Sequence, residues 1–141
     1  MKVGVCIKQV PPSETRIQVS DPNQGVDASA FSRMITNPYD DYALEEAVRL
    51  KDAGIASEVI VFTVDNKKSE KQIRGSLARG ADRAIRIDSA DVTGADCFGI
   101  SRVLAAVAQR EEVEIIFCGK QAIDGDNAQV PPMMAEILVF G

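Results

Sequence analysis

Four short apolar runs punctuate the chain, separated by longer segments in which apolar positions recur at a helical spacing. The runs are VGVCIKQV (3–10), EVIVFTV (58–64), AIRI (84–87) and EIIFCG (114–119). A compact run without alternation, rich in β-branched residues, is typical of a strand that is buried on both faces of a sheet. The pattern therefore predicts four buried strands.

The segments between the runs predict helices with recognisable ends. For the first helix, Asn37 suits the N-cap, Pro38 suits the first helical position, and Gly54 suits the C-terminal stop. The second helix should start at the capping-box residue Ser69 and end at Gly80.

Two more helices are predicted further along the chain. Thr93 with Asp96 is the candidate cap of the third helix, and an apolar stripe follows it. The fourth helix should begin around Pro131 or Pro132, because proline is favoured in the first turn of a helix.

The order of these elements predicts the fold class. After the first strand comes an excursion, residues 11–36, which could contain a short hairpin around Asp21–Gly25. Strands and helices then alternate, in the order β-α-β-α-β-α-β-α. This order predicts an α/β fold with an open, mostly parallel, Rossmann-like sheet and helices on both faces. A length of 141 residues fits one domain spanning 1–141.

Composition and charge argue against several classes of protein. The formal net charge of −5 disfavours a nucleic-acid or anionic-membrane footprint. No apolar stretch approaches the roughly 20 residues that span a bilayer, and the first residues lack the long apolar region of a signal peptide. We therefore expect a cytoplasmic protein with no nucleic-acid partner and no direct membrane insertion.

Cysteine and histidine usage restricts the chemistry further. Cys6, Cys97 and Cys118 show no C-x-x-C spacing, so neither a disulfide framework nor a zinc site is indicated. Cys6 and Cys118 lie in apolar runs and are predicted to be small buried hydrophobes. The absence of histidine excludes Ser-His, Cys-His and His-metal chemistry. We assign no catalytic residue and no metal ligand.

A polar loop, GKQAIDGDNAQV (119–130), joins the last predicted strand to the last helix. In open parallel sheets, ligands bind outside the carboxyl ends of the strands, where the segments 9–12, 34–40 and 63–68 also lie. The chain contains neither G-x-G-x-x-G nor G-x-x-x-x-G-K-[ST], so a standard dinucleotide fold and a P-loop are not supported. The sequence predicts a ligand site at 119–130 without a familiar phosphate motif.

Simpler interpretations stay open for each of these features. Asn37 and Pro38 could be only a helix cap, Asp40 only a first-turn charge, and 119–130 only a solvated turn. The basic residues within 67–86 could be a solvated helix face or a surface that docks a partner. They are Lys67, Lys68, Lys71, Arg74, Arg79, Arg83 and Arg86.

Four blocks in a fixed order carry a family resemblance. They are IKQVP (7–11), NPYDDYALEEAVRLKD (37–52), IRGSLARGADRA (73–84) and GKQAIDGDNAQV (119–130). Together they resemble the small (beta) subunit of electron transfer flavoprotein, from residue 2 to about 138, and its electron-bifurcating members most of all. The resemblance implies an adenine-nucleotide alpha-hydrolase-like fold. It also implies that this chain is part of a longer subunit.

The resemblance further implies a function and partners. Most small subunits of this family hold AMP, and bifurcating members hold a second FAD in the same place. The small subunit pairs with a large (alpha) subunit that holds the electron-shuttling FAD and carries electrons from dehydrogenases to a quinone-linked acceptor, so it is an electron carrier subunit rather than a catalyst on its own. The alternative is a stand-alone adenine-nucleotide-binding module of the universal-stress type, whose Gly-x-x-Gly stretch is missing here.

The family's nucleotide contacts carry over to positions on four loops of this sequence. Asn127 and Gln129 can donate to phosphate oxygens, whereas ionised Asp124 and Asp126 can only accept hydrogen bonds. The full set is Cys6, Asn37, Pro38, Tyr39, Asp40, Val64, Gly119, Lys120, Gln121, Ala122, Ile123, Asp124, Gly125, Asp126, Asn127, Ala128, Gln129 and Val130.

Some positions depart from the family pattern. Asp65 and Asn66 replace a usual Gly-Pro, and a carboxylate there would repel a nearby phosphate. Pro131 replaces a usual Gly and offers no N–H. The last residues, LVFG, also replace the small-residue, Gly- or Trp-containing segment that the family pattern would give there. AMP-holding members more often carry an acidic run where Gly125 stands, and the missing side chain at Gly125 favours FAD over AMP.

Overall fold

A computed structural model describes residues 1–19, 21, 23, 25, 26 and 31–139. Its strands are β1 (Lys2–Cys6), β2 (Gln9–Val10), β3 (Ile35–Thr36), β4 (Glu58–Asp65), β5 (Arg83–Asp88) and β6 (Ile115–Cys118). Its helices are α1 (Pro38–Asp52), α2 (Glu70–Ala78), α3 (Cys97–Arg110) and α4 (Val130–Leu138). Short 3-10 turns precede α2, at Lys67–Ser69, and follow β5, at Ser89–Val92.

Four of these strands form one parallel sheet in the order β5-β4-β1-β6. Val5 of β1 lies opposite Val61 of β4 on one side and Phe117 of β6 on the other. The chain runs outward from β1 to β4 and β5, and then crosses back to place β6 on the opposite side of β1. The predicted mostly parallel α/β sheet is confirmed.

Both faces of the sheet are covered, which explains why the strands are apolar throughout. Along β4, Val59 and Val61 pack in a cluster with α1, whereas Ile60 and Phe62 pack in a second cluster with α3 and α4. All four side chains are completely buried. Successive residues of a strand point to opposite faces, so a strand between two helical layers needs no polar alternation.

The first predicted strand, 3–10, is wrong in its extent. β1 ends at Cys6, and Ile7 still donates its N–H to Phe62 (2.9 Å). Gln9 and Val10 then turn away and pair antiparallel with β3. The run splits because the first turn of α1 lies beside the end of β1, where the N–H of Asn37 bonds to the carbonyl of Lys8 (2.8 Å).

One predicted helix cap is wrong, and another is right in position but not in its side-chain bond. α3 is capped by Asp96 alone, whose carboxylate accepts the N–H of Gly99 (2.9 Å), while the Thr93 hydroxyl donates to Ala90 in the preceding turn. Ser69 is the N-cap residue of α2, as predicted, but its hydroxyl donates to the carbonyl of Asn66 and makes no capping bond to the helix.

The remaining predicted boundaries concern the excursion and the end of the chain. The described part of the predicted hairpin contains an antiparallel bridge between Asp21 and Gly25. Pro22 and Gln24 lie outside the described residues, as do Phe140 and Gly141 at the end LVFG. Across the described ranges, no helix is both long and apolar enough to cross a membrane.

All four arginines of the basic run form ion pairs with nearby acids. Arg83 contacts two acids, Glu58 (2.6 Å) and Glu111 (3.0 Å). Arg74 pairs with Glu70, Arg79 with Asp41, and Arg86 with Asp88. These pairs favour the solvated-face interpretation over a concentrated positive patch, because much of the positive charge is locally balanced.

Candidate functional site

A cavity of about 390 Å³ opens at the carboxyl ends of β1 and β6. This volume lies within the usual range for small-molecule sites. The position is also where the strand order reverses, because β4 and β6 flank β1 on opposite sides. Open α/β sheets bind ligands at this switch point, since the loops there diverge and leave a crevice.

Most of the predicted site residues line this cavity. The residues that do so are Cys6, Asp40, Val64, Gly119, Lys120, Gln121, Ala122, Asp124, Gly125, Asp126, Asn127, Ala128, Gln129 and Val130. Asn37, Pro38, Tyr39 and Ile123 are not among the lining residues.

Cys6 and Cys118 form the floor of the cavity. They end β1 and β6 and lie opposite each other in register. Both are half-buried at the cavity, so the prediction that they are small buried hydrophobes is wrong in the extent of their burial. A hydrogen bond with Cys118, together with burial, raises the pKa of the Cys6 thiol well above its usual range. Cys6 is therefore a neutral thiol at physiological pH.

Asn37 fixes the start of the 119–130 loop. It precedes α1, but its side chain makes no capping bond to that helix. Instead, its Nδ2 donates to the carbonyl of Gln121 (3.0 Å), and its Oδ1 accepts the N–H of Ile123 (3.2 Å). Both bonds satisfy loop groups that would otherwise need water.

Asp40, in the first turn of α1, joins two strand exits. Its Oδ2 accepts the N–H of Lys8 (2.8 Å), and its Oδ1 lies against the backbone of Gly119. Burial raises the pKa of Asp40 to about 6, although hydrogen bonds from Asn37, Lys8 and Gly119 act in the opposite direction. Removal from water disfavours the charged form, and here this effect is larger than that of the three donors.

Gly119 is required by its contact with α1. A Cβ atom at this position would lie 2.7 Å from the backbone N of Asp40 and 2.7 Å from the backbone C of Tyr39. These atoms belong to the helix backbone and cannot rotate away. We call residues 119–123 the anchored segment, because Asn37 and Asp40 bind it to α1.

Residues 124–130, which we call the open segment, are held by a backbone bond from Asp126 N–H to the carbonyl of Ala122 (2.9 Å) and by exposed side chains. Lys8 pairs with Asp124 (2.8 Å), and Gln121 donates to Asp126 (2.9 Å). Asp126 and Ala128 have positive φ values of 50° and 52°. Non-glycine residues seldom adopt this left-handed conformation, and such strain is concentrated at binding sites.

The other wall comes from the start of α3, which the sequence analysis missed. Asn127 Nδ2 lies 3.6 Å from the Sγ of Cys97, the first residue of α3. The signal was available, because the segment after β5 ends at the same edge of the sheet as the other strand exits. The additional lining residues are Ile7, Lys8, Ala95, Asp96, Cys97, Ile100, Leu104, Cys118 and Pro131.

Two of the departures from the family pattern have different outcomes. Asp65 does not line the cavity, and its carboxylate accepts the N–H of its neighbour Asn66 (2.7 Å). Its expected repulsion of a phosphate is therefore not supported. Pro131 does line the cavity, and Pro131 and Pro132 remove two N–H groups from the first turn of α4.

The lining residues suit binding rather than bond cleavage. Val64, Ile100 and Leu104 offer an apolar wall, and the open segment offers amides and carboxylates at the rim. Lys8, one of the lining cations, is already paired with Asp124. Such a cavity can hold a flat apolar group and orient its polar substituents.

Comparison with known proteins identifies the family to which the chain is similar. The model of the electron transfer flavoprotein domain matches residues 30–141. The chain is 40% identical over 138 residues to the electron transfer flavoprotein subunit beta of Syntrophomonas wolfei subsp. wolfei, covering 98% of this chain and 53% of the relative.

Two further relatives, which carry different names, have a similar sequence identity to the chain. The acryloyl-CoA reductase electron transfer subunit gamma of Anaerotignum propionicum is 36% identical over 141 residues, and the caffeyl-CoA reductase-Etf complex subunit CarD of Acetobacterium woodii is 39% identical over 139 residues. Each match covers 98% of this chain and 52% of the relative. The chain thus spans about half the length of these relatives. Because these matches cover most of the chain, the chain belongs to the electron transfer flavoprotein family.

Proposed function

We propose that this chain is the nucleotide-holding part of an electron transfer flavoprotein small subunit. The observation that supports the proposal is the cavity at the β1–β6 switch point, which is lined by every residue of the open segment. An adenine ring would lie against the apolar wall, and the sugar and phosphate groups would meet the open segment. The family match does not favour the stand-alone universal-stress-type module.

The protein's contribution to electron transfer is binding and orientation. A flavin supplies the redox chemistry when it is bound, and the chain places and shields it. Whether this site takes AMP or FAD is the finer question, and we propose FAD. Packing within the protein does not demand a glycine at 125, because a Cβ there would meet only Asn127 Nδ2, at 3.7 Å. Space for the ligand is a sufficient reason for Gly125.

We further propose that the complete subunit pairs with a large FAD-holding subunit. In that assembly it would pass electrons from dehydrogenases to a quinone-linked acceptor, with bifurcation if both sites hold FAD. The relatives named for acryloyl-CoA and caffeyl-CoA reductases support redox partners that act on acyl-CoA compounds.

Calorimetric titration tests the nucleotide site. AMP and FAD should each bind the chain at one saturable site, and GMP should bind much more weakly. The control variant Glu45→Gln changes a residue on the exposed face of α1, away from the cavity, and should bind like the wild type. A chain that binds neither AMP nor FAD at millimolar concentration would refute the site.

Reconstitution with a large subunit tests the choice of nucleotide. The complex should be denatured, and the released flavin and AMP should be counted per heterodimer. Two flavins and no AMP support FAD at this site. One flavin and one AMP would refute FAD while leaving the adenine-nucleotide site intact.

A further inference from the structure

All three cysteines of the chain line the cavity, and two of them are neighbours in the sheet. Cys6 ends β1 and Cys118 ends β6, and the two residues lie opposite each other in register. Cys97 begins α3 on the other wall, where its Sγ lies 3.6 Å from the Nδ2 of Asn127. The cavity therefore presents a pair of thiols on its floor and a single thiol on another wall.

The side chains of Cys6 and Cys118 lie on the same face of the sheet. Cys6 packs against the cluster beneath α3 and α4, and so does Ile116, two residues before Cys118. Residues two apart along a strand share a face, so the thiol of Cys118 is on this side as well. An interaction with Cys118 is also the largest cause of the raised pKa of the Cys6 thiol, and such an effect requires the two side chains to be close.

The backbone geometry of this pair is compatible with a disulfide. Neighbouring strands of a sheet lie about 4.8 Å apart, and disulfides join residues whose Cα atoms are about 4.4 to 6.8 Å apart. Cys6 and Cys118 can therefore be joined without a large movement of either strand. Both are half-buried and line the cavity, so a small reagent that enters the cavity reaches them.

We propose that Cys6 and Cys118 form a redox-reactive dithiol, which a low-molecular-weight disulfide converts reversibly to a Cys6–Cys118 disulfide and which a nucleotide in the cavity shields. The shielding rests on the proposed nucleotide site, whereas the dithiol itself does not. Disulfides that are accessible to solvent are the ones that small thiols reduce again, so the oxidised form is reversible.

The reaction is two successive thiol–disulfide exchanges. Cys6 keeps its proton at physiological pH, so the thiolate of Cys118 makes the first attack, breaks the S–S bond of the reagent and releases one small thiolate. This step removes the Cys118 thiol, which is the largest cause of the raised pKa of Cys6. Cys6 then loses its proton and attacks the sulfur of Cys118, and the second small thiolate leaves. Two electrons pass from the cysteines to the reagent, and the two protons end on the two small thiols.

Shielding follows from the position of the pair on the cavity floor. A nucleotide that fills the cavity stands between the two thiols and a reagent in solution. Only the fraction of chains without nucleotide then reacts. Oxidation would therefore mark chains whose cavity is empty.

Peptide mapping of the oxidised chain tests the dithiol. The reduced chain is treated with hydroxyethyl disulfide under native conditions and digested with trypsin without reduction. One cross-linked product should join residues 3–8 to residues 111–120, and dithiothreitol should separate it. Cys97→Ser should form the same product at the wild-type rate, because Cys97 is not a member of the pair.

The denatured chain is the control for proximity. In urea the cross-links of all three cysteine pairs should appear, whereas the native chain should form the Cys6–Cys118 product at least about tenfold faster than any product containing Cys97, because the folded sheet holds the pair together. The same mixture in the native and the denatured chain would overturn the dithiol. Separate mixed disulfides at Cys6 and Cys118, with no bond between them, would also overturn it.

AMP tests the shielding and separates this inference from the proposed function. At ten times its Kd, AMP should slow the formation of the cross-link about tenfold, because the ligand-free fraction falls by that factor. AMP that binds in calorimetry but leaves the rate unchanged would overturn the shielding. If AMP does not bind, the proposed function fails and the shielding fails with it, but a Cys6–Cys118 cross-link in the native chain still supports the dithiol.

Discussion

The anchored segment, 119–123, and the open segment, 124–130, belong to one loop but are held by different forces. Buried hydrogen bonds of Asn37 and the close packing of Gly119 against Asp40 fix the first to the start of α1. An exposed ion pair and a 3.6 Å amide–thiol contact hold the second. Buried hydrogen bonds are costly to break, whereas exposed pairs contribute little. The difference indicates that the anchored segment is rigid and that the open segment can adapt its conformation.

The largest expected effect on stability comes from adding one methyl group to the anchored segment, and the same addition to the open segment is the comparison. Gly119→Ala should destabilise the chain by about 4 kcal/mol, because its Cβ meets helix backbone 2.7 Å away. Gly125→Ala is the matched control and should change stability by less than about 1 kcal/mol, since its Cβ would meet only Asn127 Nδ2, at an ordinary contact distance of 3.7 Å. Urea denaturation measures both. Equal effects at the two glycines would remove the distinction between the segments.

The open segment should affect affinity without affecting folding. Replacing Asn127 and Gln129 together by Ala should weaken AMP binding by about 3 kcal/mol, if each donates a charge-assisted bond to phosphate. Unfolding of the ligand-free chain should be nearly unchanged, because both side chains are exposed. Calorimetry with AMP measures the affinity. Wild-type affinity in the double variant would place the phosphate elsewhere.

The anchored segment should show a pH dependence of stability through Asp40. Its pKa is raised from 3.8 to about 6, so its favourable contribution is fully present below pH 3.8 and is lost as the pH rises through 6. The stability of the wild type relative to Asp40→Asn should fall by about 2 kcal/mol between about pH 4 and about pH 7.5.

Denaturation at a series of pH values measures this difference. Asp41→Asn, on the same turn and ion-paired with Arg79 at 2.6 Å, is the control for the charge of the helix start. A rise in the relative stability of the wild type over the same pH range would mean that the hydrogen bonds to Asp40 outweigh its burial.

The smallest expected effect concerns the ion pair that joins the loop after β1 to the open segment. The side chains of Lys8 and Asp124 are 53% and 28% exposed. Lys8→Ala should therefore cost less than about 1 kcal/mol of stability, and less still at high salt. Thermal denaturation in low and high salt checks this. A cost comparable to that of Gly119→Ala would show that the open segment is anchored after all.

Much of the fold could be predicted because its signals are local. β4 lies between two helical layers, so its unbroken apolar run identifies a strand buried on both faces. Pro38 begins α1, and Gly54, with a φ of 72°, lies just after its end. The open segment could also be located, because the carboxyl end of a parallel strand is a general place for ligands.

The exceptions arose where distant residues compete with a local pattern. The apolar run 3–10 is a uniform strand pattern, but α1 packs beside the end of β1 and diverts the chain at Lys8. Ser69 follows the local rule for a cap, yet its hydroxyl bonds to Asn66 instead. Local propensity is a weak preference that a single tertiary contact can override.

The sequence by itself determined the alternation of strands and helices, the apolar layers and the polar loop, since periodicity and turn chemistry act over a few residues. Only the tertiary structure decided what Asn37 and Asp40 do. The bonds of Asn37 span 84 and 86 residues of chain, and they exist because the sheet places β6 beside β1 and brings the 119–130 loop against the start of α1. Which loops meet is a property of strand order, and no local pattern encodes it.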